Sequence, residues 1–228
     1  SKQAIYELGE EILAENKQQN AAQKEDLNDL MRVRREKMEK FREMGVAPFG
    51  HRYEVTRHAD ELLAEFASLG EEAESETEVS IAGRLMAIRG HGKASFAVLM
   101  DLSGKIQIYF KLDVLGEEKY KEFKLLDIGD IIGVEGELFK TQVGEMTVMV
   151  KNFTLLTKID ENGVVHDAFN DPELRYRQRY VDLVVNPEVK EVFVKRTKLF
   201  NAMRQFFNDA GYFEVETPIL QSIPGGAA

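Results

Sequence analysis

The chain has 228 residues, of which 43% are hydrophobic and 31% charged, and its net charge at pH 7 is −10. That length accommodates one large or two ordinary domains with a folded core. No stretch approaches the roughly 18 apolar residues that would cross a bilayer, and there is no signal-peptide core. The lack of cysteine excludes disulfides and thiolate metal sites and fits a cytoplasmic protein. The acidic balance argues against a protein coated in nucleic acid, although a local basic face can still attract a phosphate backbone.

The N-terminal part divides into a polar segment and a basic helix. Residues 1–25 are interpreted as a surface helix or a poorly ordered extension. A second helix is predicted from Asp26 or Asn28, either of which can cap it, to about residue 44. It carries the most basic stretch of the chain: Arg32, Arg34, Arg35, Lys37, Lys40 and Arg42. Such a run is usually a solvated helix face. Here the β-barrel predicted from residue 79 onward makes contact with the phosphates of a nucleic-acid backbone an alternative.

Residues 26–78 end in an acidic connection. Thr56 is expected to cap a short helix. Residues 60–78 contain eight acidic side chains and no basic one. We therefore expect a solvated connection that is turned away from any RNA.

Residues 79–158 carry the pattern of a small β-barrel. Five apolar runs cover 79–88, 94–100, 105–110, 130–139 and 145–156. The second and third runs, like the fourth and fifth, are joined by Gly-bearing hairpin connections. A charged segment between runs three and four has the spacing of a short helix. Three strands, a helix and two strands is the order of an OB-fold, which binds oligonucleotides on one face. Another kind of small barrel remains the alternative.

A linker over 159–174 precedes a last segment, 175–228, that cannot bury its own surface. The segment starts with Arg175-Tyr176-Arg177-Gln178-Arg179-Tyr180, which is compatible with a structural clamp between domains or with an RNA contact. Asn186 is expected to cap a long apolar helix that ends at Gly211. A short strand is predicted over 212–217. A long apolar helix followed by one strand needs more sheet or a partner, so we expect the chain to be a piece of something larger.

The last segment contains Arg-Tyr-Arg-Gln-Arg-Tyr-Val-Asp-Leu at 175–183 and Gly-Tyr-Phe-Glu-Val-Glu-Thr-Pro at 211–218. These motifs are similar to the start of the catalytic domain of class II lysyl-tRNA synthetases. Gly-Lys-Ala-Ser-Phe at 92–96 and Lys-Ile-Gln-Ile-Tyr at 105–109 resemble the anticodon-binding barrel of that family. The implied fold is α+β: N-terminal helices, a five-stranded OB barrel and the start of an antiparallel α/β catalytic domain.

The resemblance implies residue roles in the barrel. In the family, an aromatic residue of the second strand stacks on an anticodon base, and the matching residue here is Phe96. The matching polar residues are Gln107 and Glu145, with Arg89 nearby. Strand alternation groups Phe96 with Val98 and Met100, so the sequence alone leaves open whether Phe96 faces outward or into the core.

The resemblance also implies roles for the last segment. The long helix and the following strand match the family's dimer-interface motif, which here includes Phe193, Phe200, Arg204 and Pro218. Gly225 and Gly226 match a segment at the edge of the lysine pocket, although a plain turn is an equal alternative. No catalytic or metal-binding residue is expected in this chain, because the family's two ATP motifs come later.

The family implies a lysine–tRNA ligase that uses ATP and Mg²⁺, binds tRNA(Lys) and forms a homodimer in the cytoplasm, without membrane or DNA partners. The 228 residues by themselves are expected to bind the anticodon and to be catalytically inactive. The alternative is a non-catalytic RNA-binding or regulatory paralogue. A natural reading frame that continues past Ala228 into an Arg-bearing ATP motif would favour the ligase.

Overall fold

The computed structural model describes residues 29–50, 52–67, 75–159 and 169–219. The chain divides into two compact units, Ser1–Val165 and His166–Ala228.

Two helices precede the sheet in the first unit. Helix α1 covers described residues 29–43 and anchors itself through Phe41, which is fully buried. The cap predicted at Asp26 or Asn28 lies outside the described residues. Helix α2 covers Ala59–Ala67 and buries Leu62. The prediction that Thr56 caps α2 is wrong, because its side chain instead hydrogen bonds with the backbone of Ser80 on the first strand.

Five strands and two short helices follow in the predicted order. They are β1 (Ser75–His91), β2 (Ala94–Met100), β3 (Lys105–Lys111), α3 (Leu112–Leu115), α4 (Glu117–Lys124), β4 (Ile131–Lys140) and β5 (Met146–Thr157). The sequence prediction of the strands and of the helical segment between β3 and β4 is therefore confirmed.

The strands form one sheet that closes on itself in the order β1-β2-β3-β5-β4. Strand β1 is long enough to pair with both β2 and β4, which closes the ring. Strands β3 and β5 pair in parallel, and the other pairs are antiparallel. Alternate side chains such as Leu99, Ile108 and Val148 fill the interior and are almost completely buried. One surface of each strand is thus committed to the core, and the other is available for binding.

The described part of the second unit consists of three helices and an irregular C-terminal segment. It contains α5 (Pro172–Arg177), α6 (Arg179–Val185) and α7 (Pro187–Asp209). Asn186 occupies the N-cap position of α7, but its side chain does not cap that helix as predicted. The amide instead donates to the Asp182 carboxylate and the Phe169 carbonyl.

Helix α7 is confirmed, whereas the strand predicted after it is not formed in the described residues. Residues 212–218 continue as an unpaired segment. A strand needs a neighbour to satisfy its backbone hydrogen bonds, and the described part of this unit offers none. Within the described ranges, no helix is long and apolar enough to cross a membrane.

Candidate nucleic-acid interface

Phe96 points away from the barrel core. Its neighbours Ala97 and Leu99 are 2% and 1% exposed, respectively, and β2 alternates between buried and accessible side chains. Phe96 is therefore on the outer face, where 38% of its surface is exposed. This placement answers the question that strand alternation left open in the sequence.

Phe96 belongs to a row of three aromatic rings on the outer face. Its register partner on β3 is Tyr109, and their ring centroids are 4.5 Å apart. Phe139 of β4 lies 6.0 Å from Tyr109. Rings at these separations stabilise each other and hold each other's orientation. The row presents a partly exposed aromatic surface on which an unpaired base can stack.

Gln107 and Glu145 are brought together although 38 residues separate them in the sequence. Gln107 lies two residues before Tyr109 on β3, so both side chains share the outer face. Its Nε2 donates to Glu145 Oε2 at 2.9 Å, and its Oε1 accepts from the Thr147 hydroxyl at 2.8 Å. Glu145 is held by the β4–β5 turn, where its N–H donates to the Thr141 hydroxyl.

Arg89 completes the predicted set. It is opposite Phe96 in the β1–β2 register, and its side chain is exposed. The structure therefore gathers all four predicted anticodon residues onto one connected part of the outer face. A cation beside an aromatic platform can attract the phosphate backbone of the strand that stacks there.

The basic helix α1 uses several of its charges internally. Arg32 pairs with Asp29 and Glu36, and Arg42 pairs with Glu39. These contacts within the helix favour a solvated helix face over a dedicated phosphate track.

A buried ion cluster holds α1 against the barrel. Lys158, just after β5, has a side chain only 1% exposed and contacts Asp127 at 2.6 Å and Asp130 at 2.7 Å. Lys37 of α1 contacts the other oxygen of Asp127 at 2.5 Å. Burial alone would raise the pKa of Asp127, but hydrogen bonds from Lys158 and Lys37 outweigh it and hold the pKa below its ordinary value. Since two ammonium groups meet two carboxylates, the buried charges are balanced.

Helix α2 is capped from a distant turn. Asp101, at the β2–β3 hairpin, accepts the Ala59 N–H at 2.9 Å and also the N–H groups of Ser103 and Gly104. Burial opposes the charged form, but these hydrogen bonds keep the pKa of Asp101 below its ordinary value. One carboxylate thus stabilises both the hairpin and the start of α2.

The arginine-rich motif of the second unit surrounds a buried carboxylate. Asp182 is fully buried and accepts from Arg175 at 2.7 Å, from Arg179 and from Asn186. Burial opposes ionisation, but the Asn186 and Arg175 hydrogen bonds outweigh it and lower the pKa of Asp182. Arg179 also lies over the Tyr176 ring, 4.9 Å from its centroid. These contacts join residues of the second unit to one another, so they stabilise that unit and do not test a clamp between domains or an RNA contact.

The predicted dimer residues lie on or after α7. Phe193 and Phe200 are 45% and 41% exposed. Arg204 donates to both oxygens of Glu214 at 3.1 Å and so ties α7 to the segment that follows it. Pro218 is exposed at the end of that segment. Gly225 and Gly226 lie outside the described residues, so their predicted role at the lysine pocket stays a prediction.

Sequence reasoning missed two residues of the barrel face. Tyr109 could have been found, because it is two residues from Gln107 and must share its side of the strand. Thr147 could not be found from the pattern alone. A buried threonine in a β-strand gives the same sequence signal as any other β-branched residue.

Comparison with protein families agrees with this architecture. Residues 79–156 match the OB-fold nucleic acid binding domain of the tRNA anticodon family, and residues 171–228 match the tRNA synthetases of class II (D, K and N). Over these two ranges the chain is similar to an OB-fold nucleic acid binding domain followed by part of a class II tRNA synthetase domain.

Several relatives that match the chain over most of its length are lysine–tRNA ligases. The lysine–tRNA ligase of Christiangramia forsetii is 56% identical over 221 residues, covering 90% of this chain and 37% of the relative. Those of a Thermoanaerobacter species and of Bacillus subtilis are 51% and 49% identical, over 90% of this chain and 40% and 42% of the relatives. The chain therefore spans about two fifths of the length of the curated relatives it matches.

Proposed function

We propose that the outer face of the barrel reads the anticodon loop of tRNA(Lys) for a full-length protein that ligates lysine to that tRNA. The observation that carries this proposal is the Gln107–Glu145 pair beside the exposed Phe96 ring. Stacking on an aromatic ring tolerates every base, so selectivity must come from polar groups at its edge.

The paired side chains offer a donor next to an acceptor. One N–H of Gln107 is taken by Glu145, and in the described part of the chain the second N–H makes no hydrogen bond. Glu145 Oε1 likewise accepts no hydrogen bond from the described residues. Uracil presents a carbonyl oxygen beside an N3–H group, which complements a donor–acceptor pair. Cytosine presents an amino group beside an unprotonated nitrogen, which is the reverse pattern. The pair therefore favours uracil, and the expected ligand is a loop with uracil at the stacked position.

The remaining family properties are proposals for the full-length protein. They are activation of lysine with ATP and Mg²⁺, dimerisation through the exposed side of α7, and a cytoplasmic location shared with translation. Within the described residues, no group of three or more His, Asp or Glu side chains lies close enough together to hold a metal ion.

The base preference can be tested with the 228-residue chain. Its affinity is measured by fluorescence anisotropy for a lysine anticodon stem-loop and for the same loop with the central uracil changed to cytosine, at one fixed salt concentration. The cytosine loop should bind about tenfold more weakly, which corresponds to about 1.4 kcal/mol. Equal affinity for the two loops, with strong salt dependence, would refute base reading.

A matched pair of variants locates the effect. Glu145→Gln should reduce the preference for uracil, since it replaces a carboxylate acceptor with an amide. Glu135→Gln is the control, because Glu135 is an exposed carboxylate on the outer face of β4 that is bonded to Asn152 rather than to Gln107.

The ligase and the non-catalytic paralogue are separated by a different assay. The full-length gene product should catalyse lysine-dependent exchange between ATP and pyrophosphate if it is a ligase. A product that binds the stem-loop but shows no exchange would favour the paralogue.

A further inference from the structure

Thr147 places a hydroxyl at a buried position behind the predicted base-reading pair. It lies on β5, directly opposite Gln107 in the parallel β3–β5 register, and is completely buried. Its Oγ1 donates to Gln107 Oε1 at 2.8 Å. A buried hydroxyl is costly unless it is hydrogen bonded, and valine would fill nearly the same space in a strand. The role of the Thr147 hydroxyl should therefore be sought in its hydrogen bond to Gln107.

Glu145 and Thr147 select the same orientation of the Gln107 amide. An ionised carboxylate can only accept, so the amide atom facing Glu145 must be Nε2. The amide oxygen then faces Thr147, whose hydroxyl can donate to it. If the amide were rotated by half a turn, its oxygen would face the carboxylate and its N–H groups would face the hydroxyl. The observed orientation makes two good hydrogen bonds and leaves one N–H for a ligand.

We propose that Thr147 is a positioning residue that fixes the polarity of the Gln107 amide and thereby the preference for uracil over cytosine. This inference rests on the proposed function of the barrel face. Thr147 does not contact the base; it acts through Gln107. Without the hydroxyl, the amide oxygen loses its buried partner, and the Glu145 contact alone then opposes a rotation that would turn the oxygen toward the ligand. That oxygen would accept from the amino group of cytosine.

The test compares the ratio of affinities for the uracil and cytosine stem-loops in three forms of the 228-residue chain. Thr147→Val removes the hydroxyl and keeps the branched shape, whereas Thr147→Ser keeps the hydroxyl. Thr147→Val should lower the uracil-to-cytosine ratio by about threefold to tenfold, the range expected from the loss of one hydrogen bond. Thr147→Ser should keep the wild-type ratio. A Thr147→Val chain that loses affinity for both loops equally, with an unchanged ratio, would overturn the proposal.

Two further readouts exclude a general folding effect. The side-chain amide signal of Gln107 in a ¹H–¹⁵N spectrum without RNA should move in Thr147→Val and stay in place in Thr147→Ser. In a Gln107→Ala background, Thr147→Val should have no further effect on the ratio, because the two residues act as a unit. A persisting effect there would show that Thr147 acts through another route.

Failure of this inference is distinguishable from failure of the proposed function. If the wild-type chain does not discriminate between the two loops, the proposed function fails. If the wild-type chain discriminates and Thr147→Val discriminates equally well, only the positioning role of Thr147 fails.

Discussion

Replacing Phe96 tests the stacking surface. Phe96 is 38% exposed, and its ring is held by Tyr109 at 4.5 Å. Stacking of one base on an aromatic side chain is worth about 1–3 kcal/mol, so Phe96→Ala should weaken stem-loop binding by about 5-fold to 150-fold. Loss of the ring pair removes about 0.5–1.5 kcal/mol of folding stability, which leaves the barrel folded because its core lies on the other side of β2.

The assay for this prediction is anisotropy titration of the stem-loop, accompanied by thermal unfolding of each variant. Phe96→Tyr should keep most of the affinity since it keeps a ring, whereas Phe96→Leu should resemble Phe96→Ala. Leu102→Ala is a matched control: Leu102 is 76% exposed in the β2–β3 turn, at the opposite end of β2. Should Phe96→Leu bind as tightly as the wild type, the ring does not stack on a base and the reasoning is refuted.

Three predictions concern the supports of the barrel. Asp101→Ala should destabilise the first unit by about 1–2 kcal/mol in urea unfolding through loss of the α2 cap; no change would exclude the cap. Lys158→Met should cost about 3–5 kcal/mol because it leaves the buried Asp130 carboxylate without an ammonium partner, whereas Lys151→Met, at an exposed ion pair, should leave Tm nearly unchanged. The pKa of Asp127 is lower in the folded protein than in the unfolded chain, where it is about 3.9. The contribution of Asp127 to the free energy of unfolding is therefore fully present above the unfolded pKa, and it is lost as the pH falls through the folded pKa. The protection factors of the α1 amides, which are corrected for the intrinsic pH dependence of exchange, should therefore fall in acid, and Asp127→Asn should weaken this pH dependence.

Much of the fold was predictable because it depends on local pattern. Alternation of apolar residues and the Gly-bearing turns located all five strands, and Pro187 with Gly211 bounded α7. The pairing of β1 with β2 and of β2 with β3 then places Phe96, Gln107 and Arg89 on the outer face of the barrel. The predicted roles of these residues remain to be measured.

The remaining features depend on contacts between residues that are distant in the chain. Lys37 and Asp127 are separated by 90 residues, so no local pattern predicts their ion pair. Thr56 had the right residue type for a helix cap, but Asp101 from a distant hairpin supplies that cap. The contact of Thr147 with Gln107 likewise depends on the pairing of β3 with β5, which are not neighbours in the sequence.

The most direct test of base reading by the barrel is a ¹H–¹⁵N titration of the 228-residue chain with the lysine anticodon stem-loop at fixed salt. We expect saturable shifts centred on Phe96, Gln107, Glu145 and Arg89, which should be much smaller with the cytosine loop at the same concentration. Shifts that are confined to α1, or that are identical for the two loops, would contradict base recognition by the outer face of the barrel.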